Sequence, residues 1–484
     1  MRTPRLTAAS LREVRAGTRV PGYVRSDVRV GIVHFGPGAF HRAHQACYID
    51  RLLAVDPRWG ICAVSLQSAR TRDALEPQDW LYTLAELAPQ PRLTVLGALR
   101  QVLVAPTQSD AVFAQLLAAD TRLVTTTVTE KGYCLTPRGV LDEAHPDIVH
   151  DRSRPQTPRS LVGWLTEALH RRMQRGLAPL AIICCDNLPD NGPTLRRALT
   201  DFAARRDGSL AAWIESEVAC PRTMVDSITP ATDAALRERI EREIGLEDAG
   251  PVQREAFTQW VIEDLPQVRE PDWGSVGVTL TSAVELYERA KLRLVNGAHS
   301  TLAYIGLLRV RATVGDAMRD KPLARFVERL MREDLAPSLQ ASPELDIAHY
   351  VDEVLARLRN PGVQHRLAQI ACDGSKKLPI RLVGPVQEAL QAGRPVHRLV
   401  LPIAAWMRFI VRQSRARVPI EDPLAQQLAA VGLACTGDAR GDVGRFLAMH
   451  AVIPPDLAEV GELNHALQMA YEILGDPAAA LGAA

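Results

Sequence analysis

A chain of 484 residues has room for roughly two to four domains at about 150 residues each. Hydrophobic residues at 47% and charged residues at 23% are the balance of an ordinary globular protein, and exclude extended disorder, collagen-like repeats and a disulfide-stapled mini-fold. Lys+Arg 57 against Asp+Glu 56 leaves a formal charge of +1, without the basic surplus that nucleic-acid binding writes into composition.

The basic N-terminal stretch 1–23 lacks the apolar run of a secretory signal. Apolar runs such as 179–185 and 399–407 fall short of the roughly 20 residues that cross a bilayer, so no membrane helix is expected. The eight cysteines form no CxxC pair, which argues for reduced thiols, a cytoplasmic location and no structural zinc of the common spacing.

In chain order, 29–35 (RVGIVHF) reads as a strand, followed by a glycine turn and a helix from about Ala39 to Leu53. Further strands are expected at 61–66, 122–128, 179–185 and 257–262, interleaved with helices near 109–119, 160–175, 194–206 and 234–244. Such alternation predicts a parallel sheet covered by helices. The Pro- and Arg-rich segment 151–159 reads as an exposed connection between strand and helix. From residue 284 the pattern turns to amphipathic helices, at 284–307, 323–333, 347–358, 384–391, 422–432 and 459–474. The expected organisation is therefore α/β: a parallel-sheet domain over 1–283 and a mainly α-helical domain over 284–484.

Gly36-Pro37-Gly38-Ala39-Phe40 joins the first strand to its helix, where a dinucleotide pyrophosphate sits. Gly36 permits a tight turn and Gly38 a close backbone approach, while His41 replaces the third glycine of GxGxxG. An ordinary strand–helix turn fits the same residues. His41 and His44 read as packing residues in preference to metal ligands, because no third ligand is nearby in sequence.

In 284–304, Lys291, Asn296 and His299 fall on one side of a regular helix at about 100° per residue. Val295 and Leu292 share that side, so the lysine would be partly buried, and burial lowers a lysine pKa toward the range useful in proton transfer. The same spacing also fits a helix that merely exposes a lysine.

Taken together, GIVHFGPGAFHRAHQACYID (31–50), TVTEKGYC (127–134), CCDNLPDNG (184–192), MVDSITP (224–230), QWVIED (259–264), KLRLVNGAHS (291–300) and DGSKKLP (373–379) resemble the polyol-specific long-chain dehydrogenase/reductase family, in the family's order. The resemblance implies a Rossmann-type N-terminal domain, a helical C-terminal domain, and metal-independent hydride transfer between a nicotinamide cofactor and a sugar-derived alcohol or ketone. Carried over residue by residue, it makes Lys291 the acid/base group, Asn187 and Asn296 amide donors to the reacting oxygen, His299 a hydroxyl ligand and Glu130 a proton relay. It places Val225, Asp226 and Lys377 at the substrate, while the glycine turn itself puts Gly36, Gly38, Ala39 and Phe40 at the cofactor and the end of the second strand adds Arg70.

TVTEKGYC, DGSKKLP, Gln369 and the WMR at 406–408 resemble the fructuronate reductase (mannonate oxidoreductase) branch more than the mannitol dehydrogenases. A uronate carboxylate calls for a cation, with Lys377 and Arg408 as candidates. A mannitol or other polyol dehydrogenase is the alternative. A catalytically silent sugar- or nucleotide-binding member is the reading from another class, against which the joint presence of Lys291, Asn296, His299 and Asn187 argues. Ser227 and Thr258 stand where arginines are common in the family. Gln67-Ser68-Ala69-Arg70 lacks the usual ribose-binding carboxylate, so NAD is expected with NADP also admitted through Arg70 or Arg72. The expected partners are small sugar acids or polyols, with no nucleic acid and no membrane; the sequence leaves the oligomeric state open.

Overall fold

The computed structural model describes residues 3–477 and 481, apart from 89, 364 and 451. The chain divides into two compact units, Met1–Val284 and Glu285–Ala484.

Among the described residues, eleven strands lie in the first unit: β1 Val30–Phe35, β2 Gly60–Ser65, β3 Tyr82–Leu87, β4 Arg92–Leu96, β5 Leu99–Val104, β6 Leu123–Thr126, β7 Ala181–Cys184, β8 Thr223–Asp226, β9 Val252–Glu255, β10 Gln259–Glu263 and β11 Thr279–Thr281. The main sheet is parallel, in the order β5-β2-β1-β6-β7. Its strands carry apolar residues on both faces, as β1 (VGIVHF) does with five successive buried residues, because one face packs on helices and the other on the helix Gln45–Leu52 and residues of the small sheets. The chain runs outward from β1 through β2 to β5, then crosses back to β6 and β7. The carboxyl ends of β1 and β6 therefore flank the point where strand order reverses, the place where such sheets bind ligands. Two small sheets, β4-β3-β9 and β11-β10-β8, complete the unit.

Two local expectations are corrected. The helix after the glycine turn is broken at His44, whose φ of −119° and ψ of −87° separate Ala39–Ala43 from Gln45–Leu52. Segment 151–159 joins two helices, Pro146–Ser153 and Leu161–Gln174, and is anchored by a buried residue. The Asp151 carboxylate accepts the backbone N–H of Arg159 at 2.7 Å, and both N–H and hydroxyl of Ser160 at 2.9 and 2.6 Å.

In the second unit, the described residues form helices and no strand longer than an isolated bridge. Helix Gly297–Leu308 is buried along nearly its whole length and packs against the 19-residue helix His397–Arg415. That helix in turn packs on Ala425–Ala434 and Gly461–Ile473. Three segments have wide i→i+5 turns: Lys291–Asn296, Leu330–Leu335 and Pro379–Val383. The first packs against both of the others.

Candidate active site

The glycine turn has the geometry of a phosphate-binding corner. Gly36 has φ +94°, and a Cβ there would stand 2.2 Å from the Thr127 carbonyl oxygen, so only glycine lets β1 leave the sheet beside β6. Gly38 differs. A Cβ there would meet no protein atom closer than the Gly36 carbonyl at 3.9 Å, so the packing of the chain itself does not demand glycine. The open space beside its backbone, at a helix N-terminus, suits the close approach of a pyrophosphate. Ala39 and Phe40 open that helix, half-buried, with Phe40 stacked on His44 at 5.0 Å between ring centroids.

Arg70 begins the helix Arg70–Leu75 beyond β2, and Thr71 donates to the Pro37 carbonyl at 3.4 Å, tying that helix to the glycine turn. Arg72 is held by Asp73 at 2.7 Å, whereas Arg70 is exposed with no ion pair among the described residues.

Behind the turn, His34 and His41 stack with ring centroids 3.3 Å apart, both fully buried. Burial holds the His34 pKa down at about 3 and that of His41 well below the ordinary value. His44 uses Nε2 on the Gln259 carbonyl at 3.0 Å. Among the described residues, one group of potential metal ligands converges: Cys134, His145 and Asp147, within 4.8 Å of one another. None of the residues expected to be catalytic belongs to it.

Glu130 follows β6 and Asn187 follows β7, both exposed at the carboxyl end of adjacent parallel strands. Sequence reasoning missed what fixes them. The Asp186 carboxylate accepts the N–H groups of Val128 and Thr129 at 2.9 and 3.0 Å and the Tyr133 hydroxyl at 2.6 Å, locking the two loops together. Asn191 staples β7 to β8, donating to the Cys184 and Thr223 carbonyls at 3.1 and 3.0 Å and accepting the Thr223 N–H at 2.9 Å. Val225 and Asp226, at the end of β8, are buried. Next to them, Ser227 donates to the Phe257 carbonyl at 3.0 Å and Thr258 accepts the Tyr48 hydroxyl at 3.0 Å, so both small residues are bonded within the unit.

On the second unit, Lys291, Asn296 and His299 lie on a helix that is not regular. Lys291–Asn296 is a π segment, so residues five apart stand about one turn apart and Asn296 moves toward the azimuth of Lys291. His299 follows one α-turn later on the same side. Projection at 100° per residue spread the three too widely. Lys291 is 8% and His299 7% exposed, and the His365 ring meets that of His299 at 5.6 Å, edge-on. The wide turn is pinned from outside: Arg293 donates to the Ser338 carbonyl and to Glu388, each at 2.7 Å, while Arg381 reaches the Ser300 hydroxyl at 3.1 Å and the Asn296 carbonyl at 3.5 Å.

The two cations expected at the substrate are partly occupied. Lys377 donates to the Cys372 and Ile370 carbonyls at 2.6 and 3.3 Å, capping the turn after the helix Leu367–Ile370. Burial, reinforced by Arg381, lowers its pKa. Arg408 is a clasp between helices: its guanidinium lies 3.9 Å from the Tyr471 ring centroid and donates twice to the Tyr471 carbonyl, at 2.7 and 2.9 Å. That engagement argues against the carboxylate-binding part expected for Arg408. Arg381, not singled out by its sequence context, is a further cation beside the lysine helix.

The Mannitol dehydrogenase Rossmann domain matches residues 30–275, and the Mannitol dehydrogenase C-terminal domain matches 283–475. The chain belongs to the mannitol dehydrogenase family. It is 38% identical to the uncharacterized oxidoreductase YeiQ of Escherichia coli (strain K12), over 93% of each chain. It is 36% identical to the D-mannonate oxidoreductase of the same organism, over 94% of this chain and 95% of that one. Among solved structures, the Pseudomonas fluorescens mannitol 2-dehydrogenase ternary complex with NAD and D-mannitol superposes with a TM-score of 0.85 at 32% identity, covering 99% of both chains. The parallel sheet, the helical second unit and the oxidoreductase class expected from the sequence all agree with this membership.

Proposed function

We propose that this enzyme reduces a keto-sugar acid, D-fructuronate, to the corresponding hydroxy acid, D-mannonate, with NADH. The observation that carries the chemistry is the buried Lys291 on a widened turn, with Asn296 and His299 on the same side. A bound nicotinamide would supply or accept the hydride, and the open backbone at Gly38 together with the helix start at Ala39 fits its pyrophosphate.

In reduction, Lys291 as ammonium gives a proton to the oxygen that becomes alkoxide; in oxidation, the neutral amine takes the hydroxyl proton. The Asn296 and Asn187 amides donate to that oxygen as negative charge builds on it. His299 holds a neighbouring hydroxyl, and Glu130 passes the proton to water. Val225, Asp226 and Lys377 are proposed to line the sugar. A metal is not required, because the ammonium and the amides together polarise the carbonyl.

For the acid over the neutral polyol, the supporting feature is the cationic character of the segment Lys376–Arg381 beside the lysine helix, together with the likeness to the D-mannonate oxidoreductase. Mannitol oxidation is the second reading, favoured by the likeness to the mannitol 2-dehydrogenase complex. Initial rates with D-fructuronate, D-tagaturonate, D-fructose and D-mannitol, each with both nicotinamide cofactors, decide between them. A kcat/KM for fructose or mannitol above that for both uronates would overturn the proposal.

A further inference from the structure

A guanidinium set deep in a protein is costly unless an anion meets it. Arg381 is only partly exposed, and burial brings its pKa down to about 10. Among the described residues, the one neighbour that favours its charged form is the Tyr304 phenol, itself kept neutral because burial raises its pKa. The nearby acids Asp373 and Asp422 act on Lys377 instead, and Asp422 is engaged by the backbone N–H of Ser375 at 2.8 Å and by its hydroxyl at 2.5 Å. Among the described residues, no carboxylate pairs with Arg381.

Its bonding is one-sided. Nη1 is the atom that donates to the Ser300 hydroxyl and the Asn296 carbonyl. These contacts fix the plane of the fork against the lysine helix, while Nε and Nη2 make no hydrogen bond among the described residues. An Nε–Nη2 edge is the geometry in which arginine takes a carboxylate through two parallel bonds. The bearing segment, Pro379–Val383, packs directly on the turn that carries Lys291 and Asn296, so an anion held here is tethered within reach of a short sugar chain whose other end meets the lysine.

We propose that Arg381 is the receptor for the substrate carboxylate and so the residue that selects a keto-uronic acid over a neutral ketose. This rests on the reading of the enzyme as a keto-sugar acid reductase. The role expected for Arg408 thereby passes to a residue whose free edge, unlike that of Arg408, is not already bonded to a backbone carbonyl.

The test compares wild type, R381Q and R381K on D-fructuronate and on D-fructose, with NADH. R381Q should lower kcat/KM for fructuronate about 10- to 100-fold more than it lowers that for fructose, where the loss reads the hold of Arg381 on the Asn296 turn. R381K should fall in between, since it keeps the charge and loses the fork. Equal losses on both substrates would make Arg381 a positioning residue for Asn296 and overturn the proposal. Should R381Q fail to fold, wild type and R381K are compared by inhibition with D-mannonate and D-mannitol, and the proposal falls if R381K weakens both alike. Wild-type rates separate this from the underlying reading: an enzyme inactive on uronates removes both, whereas an active one with unselective variants removes only the assignment of Arg381.

Discussion

The Tyr133 hydroxyl donates to the Asp186 carboxylate at 2.6 Å, and the same carboxylate takes the N–H groups of Val128 and Thr129. One side chain after β7 thus sets the conformation of the loop after β6, where Thr129 has φ +66°. Asp186→Asn replaces an all-acceptor group with one that presents N–H to N–H donors. It should cost about 1–3 kcal/mol of stability and lower kcat by disordering Glu130 and Asn187. Tyr133→Phe removes a single donor and should cost about 1 kcal/mol. Thermal melts with steady-state rates check both; an Asn variant with unchanged kcat would dissociate this lock from catalysis.

Lys291→Ala should lower kcat by about 100- to 10,000-fold while leaving the dissociation constant for NADH nearly unchanged, because its proton is needed in the chemical step. Rapid-mixing rates and a fluorescence titration of NADH measure the two separately. Substantial turnover without added amine would remove Lys291 from the acid/base role.

Chelation should leave activity intact. Cys134, His145 and Asp147 are the group nearest to a ligand set among the described residues, yet His145 Nδ1 already accepts the Asp147 N–H at 3.2 Å as a helix cap. Activity lost in EDTA and restored by zinc would require a metal role that the lysine mechanism does not contain.

The sequence made the parallel sheet legible because its strands are buried on both faces and punctuated by turns, as in VGIVHF before Gly36. The β3–β4 pair was not foreseen. It closes on Glu86 opposite Arg92, a pairing with no local signal. At the site, residue types and spacing pointed to Lys291, Asn296 and His299, but not to the turn that aligns them. That turn is held by Arg293 on Glu388, 95 residues away, and by Arg381 on Ser300, 81 residues away. Side chains so distant in sequence leave no periodicity to read. The engagement of Arg408 was hidden for the same reason, since its partner Tyr471 lies 63 residues on.

The stacked His34 and His41 predict an acid limit to stability. Both have folded pKa values below the ordinary 6.5 because of burial, His34 at about 3. Below pH 6.5 the unfolded chain binds protons that the folded one refuses, so stability is lost as pH falls from there toward 3. His34 uses its nitrogens on Thr125 and Thr127 at 2.7 and 3.0 Å, which makes His41 the better site to substitute. Melting temperature should drop between pH 7 and 5 in wild type and drop less in His41→Phe; parallel curves would exclude these rings as the cause.

Cofactor choice is the remaining expectation from the end of β2. The stretch Gln67–Arg70 has no carboxylate to bond a ribose diol or repel a 2′-phosphate, and Arg70 is exposed with no ion pair among the described residues at the start of its helix. Arg72 is the weaker candidate, because Asp73 holds it. NAD should be used, with weaker discrimination against NADP than an acidic residue here would impose. Arg70→Asp should then raise the ratio of kcat/KM for NAD over NADP by about tenfold or more, chiefly by weakening NADP, since it removes a cation and adds an anion beside the same phosphate. A wild type that already rejects NADP strongly, or an Arg70→Asp ratio equal to that of wild type, would place the adenosine ribose away from this helix start.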